Sequence, residues 1–170
     1  MNRLLLFYLG SHPDHRGRML SEILVQDDHW LEYTHDYIQW LFPTREFSRV
    51  TPDAPVVSPE IERIFQQDEL LTDHLRASFN RMLAFYGLVH SGDEIRKSSR
   101  WAERKDNWFI QDTHNNLRLT RIINSLKTLG MPDDAKRLYL CLNNLKKEAD
   151  CGIGATAYRY WRNAAARVDE

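Results

Sequence analysis

The sequence predicts an all-α protein: a single globular domain over residues 1–170, of about six or seven helices, with no significant sheet. Three observations carry that expectation. Glycine and proline are scarce, 7 and 6 of 170 residues, where ordinary usage is roughly 12% together, so turns are few and elements long. Apolar residues recur at three- and four-residue spacing along most of the chain. No segment alternates apolar and polar residues for long enough to make a strand. With 42% hydrophobic and 28% charged residues, the composition is that of a chain able to bury a core.

The elements follow in order. Leu4 to Leu9 is an apolar run, much shorter than the ~18–20 residues of a membrane span, and Gly10-Ser11-His12-Pro13-Asp14 is a poor signal-peptide cleavage site, so it reads as the first buried segment. Asp14 is expected to cap a helix running to about Val25, with Met19, Leu20, Ile23 and Leu24 on its apolar face. A second helix is expected from Asp27-Asp28 to Phe42, where Trp30, Thr34, Tyr37, Ile38 and Leu41 share a face and Pro43 forces a stop. Ser58-Pro59 opens a third helix, and the pattern resumes after Asp68 as Leu71, Leu75, Phe79 and Met82 until Gly87. Residues 88–112 read as a long loop with one short helix around Trp101. From Asn115, Leu119, Ile122, Ile123, Leu126 and Leu129 form a strong stripe closed by Gly130. Pro132 opens a helix with Leu138, Cys141, Leu142 and Leu145, and a last helix from about Ala155 buries Tyr158, Trp161 and Ala165.

The formal net charge is −1, so no overall field points to nucleic acid or a membrane surface. The charge is uneven, however: 8 bases and 13 acids precede residue 86, and 15 bases and 11 acids follow. Arginine outnumbers lysine 17 to 6, which suits recognition of carboxylates and phosphates. Cys141 and Cys151 belong to no CxxC pair and read as reduced thiols in a cytoplasmic setting. His12-Pro13-Asp14-His15 has metal-ligand side chains but no second cluster at the right spacing. No metal or cofactor is therefore expected, and no phosphate loop, GxSxG or HExxH is present.

Three stretches are too specific for generic helix: His35-Asp36-Tyr37-Ile38-Gln39-Trp40-Leu41-Phe42-Pro43, Met82-Leu83-Ala84-Phe85-Tyr86-Gly87, and His114-Asn115-Asn116-Leu117-Arg118-Leu119-Thr120-Arg121-Ile122. In this order and separation, with Asn107-Trp108 and Leu6-Phe7-Tyr8, they resemble the conserved domain of the opioid growth factor receptor family, over roughly residues 5–145. The resemblance implies a receptor-like domain without a membrane span, nucleus-associated in a eukaryote. It implies no catalytic or ligand-binding residues.

Candidate contacts come from the residues themselves. His35, Tyr37, Gln39 and Trp40 put amide and aromatic groups side by side, suited to a peptide ligand or to a central, fully surrounded helix. At about 100° per residue, His114, Arg118, Arg121 and Ser125 form one polar stripe flanking the apolar face. Two arginines one turn apart can hold a carboxylate or phosphate, and Asn115 or Asn116 can cap the helix start. The same arginines suit ion pairs that fix packing. The leading expectation is a soluble binding domain for a peptide or anionic small ligand, with a protein partner as a further possibility. One alternative is an enzyme using His114 or His35 as acid or base. The other is nucleic-acid binding through 96–121, where Arg96 to Lys105 holds five bases, one acid and Trp101; nucleic acid is the less expected partner, because the patch is short.

Overall fold

The computed structural model describes residues 2–111 and 113–166. It is mainly helical, as expected, and the described residues contain one small two-stranded sheet. The chain divides into two compact units: residues up to Arg81 with Thr128–Gly130, and Met82–Lys127 with the residues from Met131 onward.

Unit 1 begins with α1 (Arg3–Tyr8), whose first turn is capped by the Asn2 side chain accepting from Leu4 N at 2.8 Å. The helix expected over 14–25 shrinks to α2 (Leu20–Leu24). Asp14 does not cap it; the carboxylate instead accepts from the backbone N–H of Arg16 and Arg18, at 2.9 and 3.0 Å, and so closes a loop. The long helix expected from Asp27-Asp28 to Phe42 is two helices, α3 (Asp28–Tyr33) and α4 (Ile38–Leu41). Thr34 is extended at φ −102° and ψ 127°, and the Tyr37 hydroxyl donates to Leu31 O at 2.7 Å across the break. A common helical face from Trp30 to Leu41 therefore does not exist. α5 (Pro59–Gln67) starts as expected, with Ser58 Oγ accepting from Ile61 N. Asp68 ends α5 and also caps α6 (Glu69–Tyr86) through Leu71 N at 3.0 Å.

Phe7, Tyr8, Trp40 and Phe65 meet edge to face in the core of this unit, with centroids 5.2–5.8 Å apart. The Tyr8 hydroxyl is fully buried, donates to Leu41 O and lies 3.2 Å from Ser78 Oγ. Burial raises its pKa far above the ordinary tyrosine value, so it stays neutral.

In unit 2 the stretch expected as a loop holds a hairpin, β1 (Leu88–Ser91) and β2 (Glu94–Lys97), in register Leu88↔Lys97 to Ser91↔Glu94. Gly92 leads the two-residue turn at φ 59°, where a residue with a side chain is disfavoured. The short helix around Trp101 is present as α7 (Trp101–Arg104), followed by a 3-10 turn (Lys105–Asn107). α8 (His114–Thr128) and α9 (Pro132–Leu145) match the expected apolar stripes, and α10 (Ala155–Ala166) buries Tyr158 and Trp161 as expected but Ala164 in place of Ala165. Trp161 Nε1 donates to Asn116 O at 3.0 Å and so ties α10 to α8.

Gly87 sits at φ 77°, and an added Cβ would lie 3.0 Å from both Arg104 Cβ and Trp101 Cα. Gly87→Ala is expected to cost about 1–3 kcal/mol from backbone conformation alone, seen as a lower urea midpoint at unchanged slope.

Candidate functional site

The 35–43 block is built around a break in the helix pattern. Between α3 and α4 the Asp36 carboxylate accepts from Arg18 Nη1 and Arg16 Nε, each at 2.9 Å, with His15 Nε2 at 3.5 Å. Arg18 also pairs with Asp14 at 2.7 Å, and that carboxylate is excluded from water. Burial alone would raise the Asp36 pKa, but Arg18, then Arg16 and His15, outweigh it and hold the carboxyl below its usual range. The sequence motif thus includes a structural ion pair: Asp36 is held by the loop before α2.

On α4, Gln39 and Trp40 are at most 7% exposed. Gln39 Nε2 donates to His35 O at 3.3 Å. The Trp40 ring lies parallel to His15 at 6.0 Å, with the Arg3 guanidinium 5.6 Å from its centroid. Gln39 Oε1, Trp40 Nε1 and His15 Nδ1 are buried with no hydrogen-bond partner among the described residues. Buried polar atoms are ordinarily satisfied by protein, water or ligand.

The second set stands on α8 in unit 2. His114 is exposed, Arg121 half-buried, Arg118 4% exposed, and Asn115, Asn116 and Ser125 buried. The polar stripe expected to flank the core therefore enters it. Neither asparagine is seen capping the helix. Both are already inside the first turn, and Thr113 Oγ1 accepts from Asn115 N at 3.2 Å instead. The structure thus places His35, Tyr37, Gln39 and Trp40 in unit 1, and His114, Asn115, Asn116, Arg118 and Arg121 in unit 2.

The basic segment from Arg96 offers no stacking platform. Trp101 and Trp108 are core residues, in edge-to-face contact with each other and with Phe109. Its bases are largely engaged: Lys97 with Glu148, Arg100 with Glu103, Lys105 with Asp150, and Arg104 Nε with Phe85 O at 2.8 Å. Among the described residues no three His, Cys, Asp or Glu side chains gather closely enough to hold a metal ion, and no helix is long and apolar enough to cross a membrane. Sequence reasoning missed two features of unit 2. One is the triad of His90, Asp134 and Arg137, with 3.2 and 3.0 Å contacts. The other is a cleft of about 330 Å3 between α9 and α10. The i, i+4, i+7 spacing of Tyr139, Asn143 and Lys146 was the available signal for the cleft.

Comparison with known proteins extends the resemblance. Residues 5–166 match the family model described as the opioid growth factor receptor conserved region, so the match runs through α10. The mouse opioid growth factor receptor-like protein 1 is 36% identical over 123 residues, 69% of this chain and 26% of that protein. The human opioid growth factor receptor is 35% identical over 104 residues, 59% of this chain and 15% of that protein. The Xenopus tropicalis receptor-like protein 1 is 33% identical over 132 residues, 74% and 25% of the two chains. The chain thus spans about a quarter or less of the relatives it matches. No solved structure matches it.

Proposed function

Because the chain belongs to the opioid growth factor receptor conserved-region family, we propose that it is a non-catalytic, receptor-type binding domain, acting in the cytoplasm, whose ligand is a peptide or an acidic small molecule. The observation that carries this reading is the pair of buried, partnerless atoms on α4, the acceptor Gln39 Oε1 and the donor Trp40 Nε1. A peptide group presents one N–H and one C=O, the two complements these atoms need. Tyr37 supports the wall of such a site from within the core, and His35 fixes Gln39 through its carbonyl.

An acidic small ligand has a separate candidate set, on α8 of unit 2. Arg118 and Arg121 stand three residues apart on this helix, and two guanidinium forks one turn apart suit a carboxylate or phosphate. Exposed His114 is the entry residue of this set, and Asn115 and Asn116 lie buried beside it in the first turn. The paired bases and buried tryptophans of 96–108 weigh against nucleic acid, and no observation favours an enzyme.

Thermal melting against short peptides and acidic small molecules tests this reading. A ligand at 100 times its dissociation constant adds about 2.7 kcal/mol, or roughly 5–10 °C at this chain length. The shift is expected in the wild type, lost for peptides in folded Trp40→Phe and lost for acidic small molecules in folded Arg118→Ala. A panel without any shift, or one unchanged by both variants, contradicts the proposal.

A further inference from the structure

The cleft between α9 and α10 carries positive charge that the fold leaves unbalanced. Lys146 stands at the C-terminal end of α9, and Arg159 and Arg162 stand one turn apart on α10; all three line the cleft and are exposed. Among the described residues no carboxylate lines it, and none of the three cations forms an ion pair. Five arginines elsewhere in the chain are paired: Arg16, Arg18, Arg45, Arg81 and Arg137 each hold an Asp or Glu. Like charges gathered around a concave surface repel each other, and a guest of opposite sign relieves that repulsion.

The walls are preorganised. Tyr158 is buried behind the charges, with its hydroxyl 3.2 Å from Cys151 Sγ and Lys146 Nζ 5.0 Å from its ring centroid. Asn143, one turn before Lys146, adds a neutral amide to the same wall. The opening turn of the 12-residue α10 also lines the cleft through Ala155 and Thr156. The first N–H groups of a helix have no partner within it, and its dipole favours an anion there.

We propose that this cleft binds a phosphomonoester dianion. A carboxylate carries one charge, whereas a phosphate ester carries about 1.5 to 2 negative charges near neutral pH and three acceptor oxygens, closer to the excess of three cations. Two guanidinium forks suit tetrahedral oxygens. The volume of about 330 Å3 lies at the small end of ligand pockets, enough for a phosphate and one attached ring. A small organic phosphate and a phosphorylated side chain share this chemistry.

Isothermal titration with phenyl phosphate, a phosphotyrosyl tripeptide and succinate distinguishes them. One of the two phosphate esters is expected to bind at low salt, more weakly as salt is raised, and the tighter one names the source. Arg159→Ala and Arg162→Ala, both at exposed positions, are each expected to weaken binding about tenfold, the size of one charge-assisted hydrogen bond. Circular dichroism checks that both variants fold. Absence of binding by both esters, equal binding of succinate, or undiminished affinity in the folded double variant overturns the proposal.

Discussion

Arg18→Ala is expected to lower the unfolding free energy by roughly 3 kcal/mol, the scale for removing one member of a buried ion pair. Arg18 holds two carboxylates, Asp14 at 2.7 Å and Asp36 at 2.9 Å, and its guanidinium lies 5.5 Å from the Trp30 ring centroid. Its removal leaves the Asp14 carboxylate, which has no exposed surface, without its guanidinium. The pH dependence has a definite sign. The Asp36 carboxyl is held below its ordinary value, so it releases its proton more readily in the folded chain than in the unfolded one. The stability it contributes is complete above the unfolded carboxylate range, roughly pH 4, and is lost as pH falls through the lower folded value. Urea unfolding between pH 7 and 3 should therefore show a steeper acid loss in wild type than in Asp36→Asn. Equal acid slopes would remove the ion-pair account of this loop.

Trp108→Ala is expected to cost about 3–5 kcal/mol, the range for deleting a large buried aromatic. The Trp108 ring meets Tyr86, Trp101 and Phe109 edge to face at 5.2–5.8 Å, and its Nε1 donates to Tyr86 O at 2.9 Å. The variant loses the ring contacts and leaves a buried carbonyl short of its donor. Trp108→Phe keeps much of the packing and should lose less than half as much. A base-stacking residue would behave oppositely, losing oligonucleotide affinity while leaving the melting temperature nearly unchanged.

The long stripes were legible because each buries one continuous face: Leu119, Ile122, Ile123 and Leu126 on α8, and Leu71, Leu75 and Phe79 on α6, are all core residues. Ser58-Pro59 and Gly87 marked element ends correctly because capping chemistry is local. The break between α3 and α4 was not legible. Its apolar spacing is helical, and the extended backbone at Thr34 accompanies tertiary contacts: Arg16 and Arg18 hold Asp36, and Tyr37 reaches back to Leu31. The hairpin had one local sign, Gly92-Asp93, but four-residue strands carry too little alternation to register. On α8 the positions of Arg118 and Arg121 relative to the apolar residues were readable, whereas the burial of Arg118 is set by tertiary packing that helical spacing does not encode.

The most direct test of ligand binding at α4 is the indole N–H spectrum of 15N-labelled protein, titrated with the peptide that stabilises it most in the melting panel. The Trp40 signal, assigned by its loss in Trp40→Phe, is expected to move on binding because its N–H gains an acceptor. The signals of Trp108 and Trp161 should stay in place, since those N–H groups already donate to Tyr86 O and Asn116 O. A saturating ligand that leaves Trp40 unmoved, or moves all the indole signals alike, contradicts binding at this site.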